Sequence, residues 1–355
     1  MEGNLKMKKI LTTLCAVAML AGCTAGGSKK SSTNTASTKE ETAATVMVGT
    51  GSVTNVSNKT KEGSDTAAQF DTTFASVVLE GNVIKYVYFD IAQDKVTYDA
   101  TGHVTSDNTA STSKKALGDK YGMKDMSSIK KEWYEQVEAL EKWAVGKTVE
   151  EVLNMPTTQK DEKHTVSADK DLMTGCTIGV TAFQQALDKA AKNAVEVKDV
   201  ASVGSAILTQ VSGKDASAEK SGEAKASSTY GVVALDKDGK VVFTQTDVAQ
   251  NAVKFTTAGV VDGEAVAIAT KGEKKDEYGM KKVSSIGKEW FEQNQAYDDW
   301  TVCKTGKEIA DMKVTTNEGG KTVTADKDLM TGCTIGVDSL QKVTTTAIEA
   351  ATKLN

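Results

Sequence analysis

Arginine is absent from the sequence, and all 43 basic residues of the 355-residue chain are lysines. Arginine is the usual residue for bidentate contacts to phosphates and base edges. The 48 acidic residues outnumber the lysines and give a formal net charge of −5. A mildly acidic chain without arginine argues against nucleic acid as a partner.

Histidine and cysteine are also scarce. Two histidines, His103 and His164, are too few for a histidine-rich metal site, and no Cys-x-x-Cys-His sequence indicates a c-type haem. Outside the first 23 residues the cysteines are Cys176, Cys303 and Cys333, an odd number that cannot pair completely. We therefore expect no metal, no haem and no disulfide framework.

The N-terminus carries a targeting segment. Three lysines precede an apolar stretch that is too short to span a membrane as a helix, and the stretch ends in Leu20-Ala21-Gly22-Cys23. This tetrapeptide resembles a bacterial lipobox, whose cysteine is lipidated and becomes the new N-terminus. We predict a lipoprotein signal peptide over residues 1–22 and a lipid anchor on Cys23, at the extracytoplasmic face of the cell membrane. The alternative is an ordinary secretory signal with a chance cysteine.

The segment that follows the signal contains little to bury. Residues 23–45 consist mostly of serine, threonine, alanine, glycine, lysine and glutamate, a composition typical of a flexible tether. Removal of residues 1–22 takes away three lysines and one glutamate, which changes the net charge from −5 to −7. The sequence thus predicts an acidic folded part held away from the membrane.

The remainder of the chain contains an internal repeat. Trp133 recurs as Trp290 and Trp143 as Trp300, with the same offset throughout. Between residues 121–180 and 278–337, roughly 35 of 60 positions are identical without a gap, which is a strong repeat signal. We predict two tandem copies of one domain, over residues 46–200 and 201–355.

Each copy begins with strand patterns and continues with helix patterns. Runs such as Val83 to Asp90 and Lys240 to Thr246 predict antiparallel strands. Apolar residues at spacings of four and three predict a helix from Ile129 to Trp143 and a second from Ile286 to Trp300. The order predicts an α+β fold, each copy a small antiparallel sheet with flanking helices.

Shorter signals complete this description. Thr148-x-x-Glu151 is a capping box that predicts a short helix, and a last helix is expected from about Thr181. Two polar stretches, Asn58 to Gln69 and Gly213 to Ser228, are interpreted as loops within the domains.

The longest identical block runs from Ala168 to Val180 and recurs from Ala325 to Val337. It contains little to bury, and core packing alone rarely demands identity. Gly175 permits a positive φ that would project Thr177 from a tight turn, and the N-terminus of the next helix offers an anion site. We interpret Thr177 as a hydroxyl suited to carry a phosphate, although a tight turn preserved by recent duplication explains the block equally well.

Within this block, Asp171-x-x-Thr174-Gly175-x-Thr177 resembles the flavinylation motif of FMN-binding domains, Asp-x-x-(Ser/Thr)-Gly-Ala-(Ser/Thr). In that family an FAD-dependent flavin transferase moves FMN from FAD onto the last motif hydroxyl as a phosphoester. The resemblance implies two covalent FMN groups. It assigns attachment to Thr177 and Thr334, recognition by the transferase to Asp171 and Asp328, and the rest of the motif to Thr174, Gly175, Thr331 and Gly332.

Two features beside the motif bear on this interpretation. Cys176 and Cys333 stand where alanine is commoner in the family, and cysteine should fit because it behaves as a small hydrophobe. Gln136 and Gln293 lie on the apolar side of the predicted helices, where an amide requires a hydrogen-bond partner. That partner is either the flavin ring or backbone.

The whole pattern resembles the two-flavin lipoproteins of Gram-positive extracellular electron transfer, the peptide-pheromone lipoprotein A family. The resemblance implies a membrane-anchored flavoprotein that takes electrons from the quinol pool or NADH dehydrogenase components and passes them to ferric iron or soluble flavins. Such a protein relays electrons and is not a substrate-specific enzyme. The alternative is a non-redox ligand-binding lipoprotein, and the signal fragment that ends at Gly22 is a candidate pheromone in either case.

Overall fold

The computed structural model describes residues 45–59, 65–264 and 266–354. The predicted signal peptide (1–22), the anchor Cys23 and the tether (23–45) up to residue 44 lie outside the described residues. Residue 45 is exposed and directly precedes the first strand.

Three long antiparallel strands open the first half of the described chain. The strands are β1 (Val46–Lys59), β2 (Thr66–Glu80) and β3 (Val83–Tyr98). In this sheet β2 pairs with both β1 and β3, and a turn at Gly81, with φ of 63°, joins β2 to β3. The left-handed backbone at this turn favours glycine.

The helices of the first half follow these strands. The helix α2 (Trp133–Ala144) buries Trp133, Val137 and Leu140 on one face, as expected from their spacing. The elements are β4 (Ala110–Ser111), α1 (Lys114–Leu117), a 3-10 turn (Gly118–Tyr121), α2 (Trp133–Ala144), α3 (Val149–Leu153), β5 (Thr157–Gln159), β6 (Thr165–Ser167), α4 (Lys170–Met173), α5 (Thr181–Lys192) and β7 (Val195–Val197).

The second half repeats this order of elements, except that none of its described residues forms a strand corresponding to β4. Its members are β8 (Ser202–Lys214), β9 (Gly222–Leu235), β10 (Val241–Phe255), α6 (Lys271–Lys274), a 3-10 turn (Lys275–Tyr278), α7 (Trp290–Thr301), α8 (Gly306–Ala310), β11 (Val314–Thr316), β12 (Thr322–Thr324), α9 (Lys327–Met330), α10 (Asp338–Glu349) and β13 (Thr352–Lys353). Strands followed by helices confirm the predicted α+β class with small antiparallel sheets.

Each half contributes one main sheet, and the two sheets pack on each other. The strand orders are β3-β2-β1-β7 and β10-β9-β8-β13, and β4 of the first half also pairs with β8. Successive residues of β2 face opposite sides: Val77 packs under the helices, whereas Ser76 Oγ lies 2.6 Å from Ser205 Oγ of the other sheet. Tyr98 stacks on Phe255 with ring centroids 3.8 Å apart. Both faces of each main sheet are therefore covered, one by helices and one by the other sheet.

Two local predictions have the wrong bounds. Of the polar stretch Asn58 to Gln69, the residues up to Lys59 and from Thr66 belong to β1 and β2, and residues 60–64 lie outside the described residues. Of the stretch Gly213 to Ser228, only residues 215–221 connect strands, because β8 ends at Lys214 and β9 begins at Gly222. The helices predicted from Ile129 and Ile286 are present but begin four residues later, at Trp133 and Trp290, each after a glutamate N-cap. The capping box at Thr148 and the helix start at Thr181 are confirmed.

Candidate functional site

The motif residues form a short helix and its C-terminal turn. Asp169 caps α4 by accepting the backbone N–H groups of Asp171 and Leu172. At the other end, the Thr174 hydroxyl donates to the Asp171 carbonyl at 2.8 Å. The Asp171 side chain is left exposed to solvent.

The second half reproduces this turn around α9. Asp326 caps the helix, and the Thr331 hydroxyl donates to the Asp328 carbonyl at 2.8 Å. Asp328 is exposed, like Asp171. In both halves the first threonine of the motif, Thr174 or Thr331, closes the turn. The motif aspartate is accessible to another protein.

The glycine of the motif has a different role from the one expected. Gly175 and Gly332 do not adopt a positive φ. A Cβ at Gly175 would lie 2.7 Å from Ala139 Cβ on α2, and one at Gly332 would lie 2.8 Å from Ala296 Cβ on α7. The glycine is therefore required because the motif turn crosses a helix at close range, and the prediction of left-handed backbone is wrong.

The last threonine of the motif, Thr177, is held by a glutamine of the neighbouring helix α2. Gln136 Oε1 accepts the backbone N–H of Thr177 at 2.9 Å and its hydroxyl at 3.2 Å. Gln136 itself is fully buried, whereas Thr177 is half-buried. The partner that the sequence required for this amide is thus the motif threonine, through both its backbone and its hydroxyl.

The same pair occurs in the second half. Gln293 Oε1 accepts the Thr334 N–H at 2.8 Å and the Thr334 hydroxyl at 3.0 Å. Gln293 is fully buried and Thr334 half-buried. The two halves therefore place a partly accessible hydroxyl against a buried amide in the same way.

The cysteines of the motif are packed into the core. Cys176 and Cys333 have 1% and 0% of their surface exposed. Burial raises the pKa of each thiol to about 11, so both are neutral at physiological pH. Cysteine fits this position as a small apolar residue and offers no nucleophile there.

Lysine side chains supply positive charge beside the threonines. Lys131 Nζ lies 3.8 Å from the position of a Cβ on Gly175, and Lys288 Nζ lies 3.9 Å from the corresponding point on Gly332. Lys160 Nζ donates to the Thr177 carbonyl at 3.1 Å. Each half thus keeps an ammonium group close to the motif turn.

The N-termini of the helices that follow the two motifs, α5 and α10, differ in charge. α5 and α10 begin after Val180 and Val337, and neither valine provides a side-chain cap. However, Asp338 places a carboxylate in the first turn of α10, which opposes an anion there. The lysines, and not the helix N-termini, are the cationic feature that both halves share.

Apolar side chains near the threonines are partly buried and partly exposed. Tyr121 and Met123 pack against the same core cluster as Trp133 and Cys176. Met126, which precedes the Gln136-binding Ser127, is 84% exposed, and the equivalent residue of the second half, Val283, is 83% exposed. An exposed apolar residue thus precedes the glutamine-binding serine in each half.

Two cavities of the described chain lie away from these threonines. A cavity of about 440 Å³ is lined by Trp143 and Asp169 among others, and one of about 350 Å³ includes Ser52. Neither is lined by Thr177 or Thr334. We therefore locate the candidate site by its repeated chemistry.

Sequence reasoning missed a buried polar cluster that occurs only in the second half. Asp298 accepts the Thr246 N–H at 3.1 Å and the Thr246 hydroxyl at 2.7 Å, and Asn294 donates to the Thr246 carbonyl at 2.9 Å. Desolvation holds the pKa of Asp298 well above its usual range. The polar residues on the inner side of α7 were the only signal for it.

No protein-family model, curated protein or solved structure matches the chain. Among the described residues, no helix has both the length and the hydrophobicity to cross a membrane. The same part of the chain contains no group of three or more histidine, cysteine, aspartate or glutamate side chains arranged to hold a metal.

Proposed function

We propose that the chain is a lipid-anchored, extracytoplasmic flavoprotein that carries FMN as a phosphoester on Thr177 and on Thr334. Each half then acts as one FMN-binding domain, with residues 46–200 and 201–355 as the two tandem copies. The observation that carries the proposal is the duplicated glutamine–threonine pair. A structural turn needs no hydroxyl that is both fixed from within and accessible from outside.

The residues around each threonine fit a flavin linked through phosphate. The ammonium groups of Lys131 and Lys288 lie beside the turn, where they balance the charge of a phosphodiester. The exposed side chains of Met126 and Val283 offer apolar surface for a planar ring. The lysines would bind the FMN phosphate, and the apolar side chains would contact the flavin ring.

The attachment reaction balances with FAD as the donor. The threonine oxygen forms a bond to the FMN phosphorus of FAD, the pyrophosphate bond breaks, and AMP leaves. The hydroxyl proton passes to a base of the flavin transferase. The exposed carboxylates of Asp171 and Asp328 are placed to be recognised by that enzyme.

Bound FMN would supply electron transfer, and the protein supplies attachment, orientation and electrostatic environment. The proposed route runs from membrane quinol or NADH dehydrogenase components to ferric iron or soluble flavins. The two histidines do not offer a shared acid–base group, because His103 and His164 are exposed and hydrogen-bonded to surface aspartates. Thus, a relay fits the chain better than turnover of one bound substrate.

The test is the intact mass of the denatured protein after co-production with a flavin transferase. We expect two FMN additions in the wild-type chain, one in Thr177→Ala or Thr334→Ala, and none in the double variant. Thr181→Ala removes an exposed threonine hydroxyl just outside the motif, and as the matched control it should keep both additions. A wild-type mass without any addition, and a colourless protein, would support a non-redox ligand-binding lipoprotein instead.

A further inference from the structure

The orientation of the Gln136 amide is fixed at both of its ends. Its Nε2 donates to the Lys131 carbonyl at 3.1 Å and to Ser127 Oγ at 3.0 Å. A carbonyl only accepts, so the nitrogen must face Lys131. The Thr177 backbone N–H only donates, so the oxygen must face Thr177. Neither end tolerates a flipped amide.

This orientation determines how the threonine hydroxyl is used. With Gln136 Oε1 as an acceptor inside the protein, the Thr177 hydroxyl proton points inward. Its oxygen lone pairs are then directed away from Gln136, and the side chain is half-buried rather than enclosed. The 2.9 Å bond from the Thr177 N–H to the same oxygen fixes the backbone from which the hydroxyl projects. The hydroxyl is presented as a nucleophile with its free electron pairs accessible.

The second half preserves this arrangement while its surroundings differ. Gln293 Nε2 donates to the Lys288 carbonyl and to Ser284 Oγ, both at 3.0 Å. Next to it, Asn294 replaces the apolar Val137 of the first half. Helix packing therefore accepts a change of polarity one residue away, while the amide, its two anchors and the threonine are retained.

We propose that Gln136 and Gln293 are positioning residues for the covalent modification of Thr177 and Thr334. They hold the threonine so that its oxygen can form the bond to the FMN phosphorus of FAD as AMP leaves. During this step the hydroxyl hydrogen rotates about the Cβ–Oγ bond, away from the glutamine oxygen, and a base of the transferase removes it. This inference rests on the proposed function. It adds a requirement that lies outside the short motif, on helices α2 and α7.

The test measures the rate of FMN addition at each threonine with purified flavin transferase, FAD and the unmodified full chain. Gln136→Met preserves the approximate volume and apolar packing but offers no amide oxygen. We expect kcat for addition at Thr177 to fall about tenfold or more, as for the loss of one to two hydrogen bonds, with KM for the protein substrate unchanged. Addition at Thr334 in the same molecule should keep its wild-type rate. Peptide masses after digestion assign each addition to its threonine.

Two further variants separate positioning from folding. Gln293→Met should slow Thr334 and spare Thr177, which reverses the pattern. Leu140→Met changes the same buried face of α2 but removes no hydrogen-bonding group, and it should leave both rates unchanged. Wild-type rates at both threonines in Gln136→Met would overturn the inference while the proposed function stands. Equal slowing at both would also overturn it, because a general loss of structure then explains the effect. Absence of addition in the wild-type chain would overturn the proposed function and the inference with it.

Discussion

Glu141 forms an ion pair with Lys115 at 2.7 Å, and both side chains are largely buried. The aligned residue in the second half, Asp298, accepts from neutral donors: the backbone N–H and hydroxyl of Thr246 and the side-chain amide of Asn294. Burial raises the pKa of both carboxyl groups, and Lys115 opposes this shift at Glu141. At this buried position the first half therefore pairs the carboxylate with a cation, whereas the second half surrounds it with neutral donors.

Asp298→Asn is expected to stabilise the protein at neutral pH. The folded-state pKa of Asp298 lies above its unfolded value, so ionisation above that unfolded value favours unfolding. The asparagine variant removes this cost, and its amide can donate to the Thr246 hydroxyl, which in turn donates to Asn294 Oδ1. The gain should be on the order of 1 kcal/mol at pH 7. It should vanish as pH falls below the ordinary pKa of an aspartate.

Denaturant unfolding at pH 7 and at pH 3.5 measures this difference. Asp299→Asn removes the same charge from an exposed neighbour and should change stability little at either pH. Glu141→Gln should have the opposite sign, because Lys115 would lose its buried partner. A loss of stability in Asp298→Asn at pH 7 would contradict the assignment of an ionisation cost to this cluster.

Gly175→Ala should destabilise the first half by about 1–3 kcal/mol, because its new Cβ meets Ala139 Cβ at 2.7 Å. The backbone of Gly175 is not left-handed, so the cost is one of space. A second change, Ala139→Gly, should therefore recover part of the loss, and the two substitutions should not be additive. Thermal unfolding of both single variants and the double variant provides the cycle.

Gly122 is the matched control for that cycle. Its φ is 74°, and no atom lies within 4 Å of its missing Cβ. Gly122→Ala should cost stability through backbone strain, and Ala139→Gly should not relieve it. Strict additivity between Gly175→Ala and Ala139→Gly would show that close approach to α2 is not the reason for the glycine.

The sequence predicted the helices better than the strands, for a physical reason. Trp133, Leu140 and Trp143 are large and fall on a helical period, so α2 is visible in the pattern. In contrast, β9 begins with Gly222, Ala224 and Ala226 on its inner side, and a Cβ on Gly222 would lie 2.2 Å from the Phe255 ring. Small residues are needed there because a large aromatic ring already fills the core. Their composition resembles a loop.

The candidate site was predictable only in part. The repeated block identified Thr177 and Gly175, and the position of Gln136 on an apolar stripe indicated a missing partner. The sequence could not join these residues, because Gln136 and Thr177 are 41 positions apart and meet only after the motif turn packs on α2. For Gly175, it also could not separate a need for space from a need for positive φ.

The proposed lipid anchor leads to a prediction for residues outside the described chain. Cys23→Ala should release the protein into the medium or leave an unprocessed precursor, because no lipid can then be attached at the predicted cleavage site. Cell fractionation with immunodetection compares the variant with the wild-type chain. Ser28→Ala, in the predicted tether, is the control and should stay with the membrane. A Cys23→Ala protein of mature size that resists washing from membranes would contradict the lipoprotein assignment.

The last prediction concerns the direction of electron flow. If the bound flavins relay electrons, the reduced protein should be reoxidised by ferric complexes and by soluble flavins, and fumarate should leave it reduced. The predicted mature net charge of −7 should make the reaction with cationic ferric complexes slower as salt is added, because electrostatic attraction is screened. Anionic ferric complexes should show the opposite salt dependence.

Stopped-flow absorbance of the flavin bands measures each rate. The Thr177→Ala, Thr334→Ala double variant should give no signal. Fast, saturable turnover of one organic acid, with ferric complexes and flavins inert, would contradict the relay and indicate a substrate-specific enzyme.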